Sequence, residues 1–327
     1  MTTPHLRTLV IQIPCFNEEG TLAETVADLP RTVPGFDVVK FLVIDDGSSD
    51  RTVEVARKCG VHHVVSHRRN RGLAEAFLTG LDTALRMGAD VIVNTDADNQ
   101  YAGSSVPDIA RPVLDGLADI VVGERPIESV DDFSPLKKRL QRLGSWVVRK
   151  ASGTPIADAA SGFRAFNREA ALRLHVFGRY TYTMETLIQA GAERLAVMSV
   201  PIGVNPQTRP SRLVKSSAQY VRRSAATIIR SFAVYRPFRF FAAVSAVPFA
   251  IGLALLVRWV VLWQFAEDYQ SRVPSLVIAA VFVLVAVQIV MVGFLADLMA
   301  STRRLVADSR YRARKAEIDA LLAANHQ

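Results

Sequence analysis

The stretch Val93-Asn94-Thr95-Asp96-Ala97-Asp98-Asn99-Gln100 is an apolar run that ends in oxygen-bearing side chains. Alternate side chains of an extended chain share a face, so Asp96, Asp98 and Gln100 can point the same way from a strand tip. Hard divalent ions such as Mg2+ or Mn2+ take oxygen ligands, and Mg2+ is usually held by one or two carboxylates together with substrate phosphates. The stretch therefore predicts a metal site that works on a diphosphate substrate.

Two other interpretations compete for the same stretch. A calcium-binding EF-hand loop also has ligands at its first, third and fifth positions, but it needs Gly at the sixth and Glu at the twelfth. Tyr101 and Pro107 stand at those two positions, which excludes that loop. A polar strand-to-helix turn with Asp as its cap has the same spacing, and spacing alone does not distinguish it.

Short β-branched runs alternate with helical stretches up to about residue 125, a pattern typical of an α/β domain with a mostly parallel sheet covered on both faces. In such sheets ligands bind outside the carboxyl ends of the strands. No GxGxxG or GxxxxGK[ST] motif follows any strand, which counts against a dinucleotide fold and a P-loop. Strands are predicted at Leu9 to Ile13, Val38 to Ile44, His62 to Ser66, Val91 to Val93 and Ile120 to Val122, with helices near Glu19 to Leu29, Arg51 to Cys59, Gly72 to Met87 and Ser105 to Leu114.

Beyond this alternation, a basic helix is predicted from Ser134 to Lys150, and its default explanation is a solvated surface helix. The segment from Asp158 to Arg164 is predicted to be a loop that enters a short strand. Two further helices are expected near Arg168 to Leu174 and Thr183 to Gly191.

The net charge of +8 is carried by the C-terminal part of the chain. Residues 208–327 hold 16 Lys and Arg against 6 Asp and Glu, a net +10, and residues 1–207 hold 23 against 25, a net −2. A run from Arg209 to Arg239 has eight Lys and Arg and no acidic residue, with apolar residues at helical spacing. This pattern favours amphipathic helices lying on an anionic membrane surface.

Two long apolar runs follow, from Phe240 through Leu256 to Trp263 and from Leu276 to Leu295, and each is long enough to cross a bilayer. They argue against a nucleic-acid partner for the preceding basic run. Their outer flanks are basic and the short connection between them is near neutral. The positive-inside rule therefore predicts a membrane hairpin with the N-terminal domain and the C-terminal tail both in the cytoplasm.

Five motifs stand in order along the chain: Pro14-Cys-Phe-Asn-Glu18, Ile44-Asp45-Asp46-Gly47-Ser48, Asn70-Arg71-Gly72-Leu73, Asp96-Ala97-Asp98-Asn-Gln100 and Asp158-Ala-Ala-Ser161-Gly-Phe-Arg164. Together they resemble the motifs of family 2 glycosyltransferases of the GT-A fold, and more narrowly those of the polyprenyl-phosphate glycosyltransferases of the dolichyl-phosphate mannose synthase and GtrB-like group. The resemblance covers about residues 6–200 by motif and residues 201–298 by architecture. The chain departs from the family at Cys15, which replaces a Thr or Val type of residue, and at Phe16, which replaces Tyr.

The resemblance implies an inverting transfer of a hexose from a GDP- or UDP-linked donor to polyprenyl phosphate, giving a lipid-linked monophosphosugar. It implies Mg2+ or Mn2+ on Asp96, Asp98 and Gln100. It implies that Asp98, Asp158 and Arg125 take part in catalysis. Asp158 has two possible roles: it orients Arg164 or the acceptor, or it takes a proton. The implied nucleotide-sugar contacts are Pro14, Phe16, Glu18, one or both of Asp45 and Asp46, Asp96, Ala97 and Arg212 with its neighbours Arg209 and Ser211. The implied acceptor-phosphate contacts are Arg125, Arg139, Arg142, Ser161 and Arg164.

The expected layout is a cytoplasmic GT-A domain over 1–207, basic juxtamembrane helices over 208–239, two transmembrane helices over 240–298 and a basic cytoplasmic tail over 299–327. The expected partners are the sugar nucleotide, the lipid phosphate and the membrane, without nucleic acid, and the family suggests a homo-oligomer such as a tetramer. Two alternatives are a processive polysaccharide synthase, whose Gln-x-x-Arg-Trp signature is only partly matched at Gln219 to Arg223, and a non-catalytic membrane-anchored module that binds sugar nucleotides.

Overall fold

The structure is a computed structural model that describes residues 6–126, 144–150, 152–176, 182–206, 225–226, 229–230, 232–265 and 273–325. It divides into two compact units. The first comprises Met1–Ile228 with Asp308–Gln327, and the second comprises Ile229–Ala307.

The first unit is built on a seven-stranded sheet in the order β3-β2-β1-β4-β6-β5-β7. β6 runs antiparallel to both of its neighbours, and the other paired strands are parallel. The carboxyl ends of β1, β2, β4 and β5 therefore lie at one edge of the sheet. The strands are β1 (Thr8–Cys15), β2 (Val38–Asp45), β3 (His63–Ser66), β4 (Val91–Asn94), β5 (Ile120–Glu124), β6 (Arg164–Asn167) and β7 (Val197–Pro201).

Helices cover the sheet because their apolar residues recur at helical spacing and are buried, as in α3, where Phe77, Leu81 and Leu85 are inaccessible to solvent. β1 is buried along its whole length, as expected for a central strand covered on both faces. The helices of this unit are α1 (Leu22–Asp28), α2 (Thr52–Lys58), α3 (Leu73–Arg86), α4 (Val106–Leu114), α5 (Arg168–Arg173) and α6 (Thr183–Ala192), with a 3-10 turn at Gly103–Ser105.

The five strands and the alternating helices predicted from the sequence are confirmed, and so is the short strand after the loop at 158–164. β7 and the antiparallel insertion of β6 between β4 and β5 were not predicted. Strand direction and order depend on pairings between distant segments, which local pattern does not report. Residues 144–150 of the predicted basic helix are helical, and its earlier part, with Arg139 and Arg142, lies outside the described residues.

The second unit contains two long helices, α7 (Pro237–Phe265) and the first part of α8 (Val273–Asn325). Both are long and apolar enough to cross a membrane. They pack closely where α7 has Gly252, because a β-carbon there would lie 2.9 Å from a methyl carbon of Val283. The predicted amphipathic segment at 209–239 lies largely outside the described residues.

The end of α8 belongs to the first unit and packs on α3 and α5. The side chain of Ile318 is completely buried, and the Tyr311 hydroxyl donates to Glu169 Oε2 at 2.6 Å. Two ion pairs join this segment to α3, between Arg314 and Asp82 at 2.8 Å and between Glu317 and Arg86 at 2.8 Å. The predicted C-terminal tail is therefore partly an element of the sheet unit.

Candidate active site

The acidic loop follows β4 directly and turns sharply back on itself. Asn99 adopts a φ of 54°, in the left-handed region that Asn tolerates better than most residues. The Ala97 carbonyl accepts a 3.0 Å hydrogen bond from Thr25 on α1, and Asp98 Oδ1 accepts one from the Gln100 amide at 3.3 Å. Asp96 and Asp98 are thereby held half-buried at the carboxyl edge of the sheet.

The two carboxylates of this loop influence each other. Burial, and then the negative charge of Asp98, raise the pKa of Asp96 to about 7. A cation bound beside these carboxylates would favour the ionised form of Asp96, because a positive charge stabilises a nearby carboxylate. The arrangement suits Mg2+ or Mn2+, which take oxygen ligands, better than Zn2+, which prefers nitrogen and sulfur.

The described residues hold no cluster of three or more His, Cys, Asp or Glu side chains placed to bind a metal. Two carboxylates and an amide are too few for a hard divalent ion, which takes six or more oxygen ligands. The loop therefore fits an ion that completes its shell with phosphate oxygens and water, as Mg2+ does on nucleotide substrates.

The loop at 158–163 packs against the acidic loop through Gly162. Its amide donates to the Tyr101 hydroxyl at 2.9 Å, and its carbonyl accepts from Asn94 Nδ2 at 2.8 Å and from the Tyr182 hydroxyl at 3.2 Å. A β-carbon at this position would lie 3.0 Å from both carboxylate oxygens of Asp96. The two loops are thus in direct contact, which the sequence motifs alone did not indicate.

The ends of β1 and β2 meet in a network of turns. The Glu18 carboxylate accepts a hydrogen bond from the Thr21 hydroxyl at 2.9 Å, and the Glu18 backbone amide donates to Thr52 Oγ1 at 2.8 Å. Pro14 lies within β1, paired in register with Ile44, and Phe16 exposes 42% of its surface next to it. An exposed aromatic ring at the carboxyl edge of a sheet is suited to stacking on a planar ligand.

Asp45 and Asp46 are both buried but have different surroundings. Asp45 Oδ1 accepts from the Ser48 amide at 3.0 Å. Asp46 accepts from the amides of Arg71 and Gly72, each at 2.8 Å, and lies 2.7 Å from His67 Nδ1. Asp46 is thus engaged in holding the loop that leads into α3, which leaves Asp45 as the better candidate for contact with a ligand.

Arg125 and Asp158 form a buried pair at the end of β5. Arg125 Nε donates to Asp158 Oδ2 at 2.7 Å, and Arg125 Nη2 donates to Oδ1 at 3.2 Å. The Asp158 side chain is fully buried, and 12% of the Arg125 side chain is exposed. A bidentate pair of this kind fixes the plane of the guanidinium. The geometry therefore supports orientation as the role of Asp158, with Arg125 as the group that it orients.

Arg164 is also fully buried, at the start of β6. Its guanidinium donates to the carbonyls of Ser161, Thr183 and Ala159 at 2.8 to 3.0 Å and to the Thr186 hydroxyl at 2.9 Å. Burial lowers its pKa to about 10. These contacts correct the expectation that Arg164 holds the acceptor phosphate, because its donors tie the 158–163 loop to α6.

The remaining predicted residues divide into two groups. Ser161 is buried beside Arg164, and its hydroxyl has no hydrogen-bond partner among the residues that the structure describes. Arg139, Arg142, Arg209, Ser211 and Arg212 lie outside the described ranges. The sequence did not indicate roles for Asn94, Tyr101, Tyr182 and His67, because no pattern distinguishes a buried polar side chain at the end of a strand or helix from an ordinary core position.

Residues 10–174 match the sequence model of a family described as glycosyl transferase family 2, and the match spans half of the chain. This chain belongs to glycosyltransferase family 2. The strand ends, the acidic loop and the loop at 158–163 all lie inside the matched region, so this glycosyltransferase has its candidate site within the family domain.

Two curated relatives of this glycosyltransferase are named for making sugars that are linked to a lipid phosphate. The UDP-N-acetylglucosamine–dolichyl-phosphate N-acetylglucosaminyltransferase of Methanococcus voltae is 30% identical over 215 residues, which cover 58% of this chain and 82% of the relative. The polyprenol monophosphomannose synthase of Mycolicibacterium smegmatis is 31% identical over 213 residues, which cover 61% of this chain and 77% of the relative.

A solved structure shares the fold. Glucosyl-3-phosphoglycerate synthase of Mycobacterium tuberculosis, crystallised with Mn2+, UDP-glucose and phosphoglyceric acid, superposes with a TM-score of 0.57 at 24% identity, covering 69% of this chain and 80% of that one. The GT-A architecture predicted from the motifs is thereby confirmed. That protein was crystallised with a divalent metal and a sugar nucleotide together.

Proposed function

We propose that this family 2 enzyme transfers a hexose from a GDP- or UDP-linked donor to polyprenyl phosphate and releases the nucleoside diphosphate. The acidic loop after β4, with Asp96 and Asp98 held beside each other, carries the proposal. The activities for which the two curated relatives are named support the lipid-linked product. The two apolar helices support association with a membrane, where such an acceptor resides.

On the donor side, Asp96, Asp98 and Gln100 would hold Mg2+ or Mn2+. The bound ion would neutralise the negative charge that develops on the leaving diphosphate. Asp45, supported by Asp46, would contact the nucleoside. Further donor contacts are proposed for Pro14, Phe16, Glu18, Ala97 and Arg212.

On the acceptor side, the lipid phosphate is already an anion at neutral pH, so it needs a fixed cation and exclusion of water more than a general base. Arg125, oriented by Asp158, would supply that cation. Arg139, Arg142 and Ser161 are proposed as further phosphate contacts. Attack by a phosphate oxygen on the face opposite the diphosphate forms one carbon–oxygen bond as the other breaks, and so inverts the anomeric carbon.

For the topology, we propose a membrane hairpin with both termini in the cytoplasm, as the basic flanks of the two apolar helices favour. The proposed boundaries are 1–207 for the GT-A domain, 208–239 for the juxtamembrane helices and 240–298 for the hairpin. The segment 299–327 follows the hairpin, and its last part returns to the GT-A domain. Association into a homo-oligomer through the hairpin is part of this proposal.

The test is transfer of labelled sugars from a panel of GDP- and UDP-linked donors to a short-chain polyprenyl phosphate, with the full chain in detergent. One donor should support transfer that EDTA abolishes and Mn2+ or Mg2+ restores. Asp98→Ala should lower turnover at least about 100-fold while the protein still inserts into membranes. Full transfer in the presence of EDTA would exclude the metal, and long polymeric products would favour a polysaccharide synthase.

A further inference from the structure

The loop at 158–163 places a glycine directly against a carboxylate of the acidic loop. A β-carbon at Gly162 would lie 3.0 Å from each carboxylate oxygen of Asp96 and 3.2 Å from the Tyr182 hydroxyl, which is closer than a side-chain carbon ordinarily comes. The backbone itself does not require glycine here, because Gly162 is not among the residues with a positive φ. The neighbouring carboxylate therefore explains why this position has no side chain.

The Gly162 peptide has little freedom to move away from Asp96, because buried groups hold its carbonyl. The carbonyl accepts from Asn94 Nδ2 at 2.8 Å and from the Tyr182 hydroxyl at 3.2 Å. Asn94 Nδ2 also donates to the Tyr182 hydroxyl at 2.8 Å. The Tyr182 ring stacks on Phe77 with centroids 3.8 Å apart, and both rings are buried. The peptide is thus part of the packed core, which resists displacement.

The rest of this loop is fixed as well. Arg164 donates to the carbonyls of Ser161 and Ala159 at 2.8 and 3.0 Å. Asp96, by contrast, is only half-buried, and its carboxylate is the end of a side chain with rotatable bonds. If a methyl group were added at Gly162, the Asp96 carboxylate would therefore move and the loop would stay in place.

We propose that Gly162 is a positioning residue, whose missing side chain sets where the Asp96 carboxylate stands when it binds the divalent ion. The inference rests on the proposed function for the identity of that ion. A methyl group at Gly162 would push the carboxylate back by a few tenths of an ångström. Metal–ligand distances tolerate shifts of only about 0.2 Å. The substitution should therefore weaken metal binding without removing any metal ligand.

The experiment compares Gly162→Ala with the full wild-type chain in detergent. Mn2+ affinity is measured by electron paramagnetic resonance of free Mn2+, with UDP and then GDP present, against a protein-free reference. The variant should bind Mn2+ about 10- to 100-fold more weakly, as is typical when a group that orients a metal ligand is changed. Its apparent KM for Mn2+ in transfer assays should rise by a similar factor, whereas a general structural defect would lower kcat at every Mn2+ concentration.

Ile318→Ala is the control for stability, because it removes buried packing from the same domain where the end of α8 packs on α3 and α5. It should unfold at a lower temperature than the wild type and bind Mn2+ as the wild type does.

A second variant, Tyr182→Phe, tests the same contact without adding an atom. It removes the hydroxyl that holds the Gly162 carbonyl and keeps the ring on Phe77, so Mn2+ affinity should fall about 2- to 10-fold. Tyr311→Phe is its matched control, because it removes the same atom from a tyrosine that donates to Glu169 at a different surface of the domain. That control should bind Mn2+ with wild-type affinity.

Unchanged Mn2+ affinity in Gly162→Ala, or an equal loss in Ile318→Ala, overturns the positioning role. If Gly162→Ala does not fold, Tyr182→Phe decides: a loss of affinity that Tyr311→Phe does not share supports the role, and an unchanged or equally shared affinity overturns it. A wild-type chain that binds Mn2+ but transfers no sugar refutes the proposed function and leaves the comparison of affinities valid. Absence of Mn2+ binding by the wild type overturns the inference.

Discussion

Arg125 and Asp158 show how the role of a single residue depends on its partner. A buried charge that loses its partner costs about 3–5 kcal/mol, because the remaining ion stays desolvated. Asp158 is fully buried, so it depends on Arg125 for its charge to be tolerated. Asp158 is therefore better explained as a support for Arg125 than as a base that takes a proton from the acceptor.

We predict that Arg125→Ala raises the KM for polyprenyl phosphate more than the KM for the sugar nucleotide, and that it also lowers the stability of the domain. The double variant Arg125→Ala/Asp158→Ala should recover part of that stability, since it leaves no unpaired buried carboxylate. Steady-state kinetics on both substrates and thermal unfolding in detergent measure the two effects. A larger change in the KM of the sugar nucleotide would reassign Arg125 to the donor side.

Among the elements, the turn after β2 and the start of α3 are held together by one carboxylate. Asp46 accepts from two successive backbone amides at the start of α3 and contacts His67, which lies 3.0 Å from the Thr79 hydroxyl. Gly47 completes the contact, because a β-carbon there would lie 2.6 Å from the carbonyl carbon of Arg69. The Asp45-Asp46-Gly47 motif and the Asn70-Arg71-Gly72 motif are therefore two sides of one structural unit.

We predict that Asp46→Asn destabilises the domain by about 1–3 kcal/mol, because its amide group would face a backbone N–H with no acceptor for it. The affinity for the nucleotide should also fall in this variant, because Asp45 lies next to the disturbed turn. Asp37→Asn is the matched control: its carboxylate also accepts a backbone amide, from Arg7 at 2.8 Å, but on the exposed surface. Denaturant unfolding measures both variants, and equal losses would contradict this role for Asp46.

For the molecule as a whole, the end of α8 makes the GT-A domain discontinuous in sequence. Of its two ion pairs with α3, the one between Glu317 and Arg86 is exposed and the one between Arg314 and Asp82 is partly buried. Exposed ion pairs contribute about 0–1 kcal/mol each. The Arg173 guanidinium also lies 4.3 Å from the centre of the Tyr311 ring. The completely buried Ile318 is the stronger anchor, because burial of an aliphatic side chain contributes more than an exposed ion pair.

We predict that Ile318→Ala lowers the free energy of unfolding of the GT-A domain by about 2–4 kcal/mol. Leu321→Ala, on the same helix but 40% exposed, should cost less than about 1 kcal/mol. Limited proteolysis and thermal unfolding of the full chain in detergent compare the two variants. Equal unfolding temperatures and equal proteolysis rates for the two variants would show that the burial of Ile318 contributes no stabilising contact.

By itself the sequence determined the alternation of strands and helices, the apolar helices and the acidic loop, because each depends on local periodicity or on adjacent residues. Only the tertiary structure decided that β6 runs antiparallel, that Arg164 is a core residue and that Arg125 pairs with Asp158. It also decided that Gly162 bonds to the Tyr101 hydroxyl and lies against Asp96, and that α8 returns to the domain. Each of these is a contact between segments far apart in the chain, and its geometry depends on how the whole core packs.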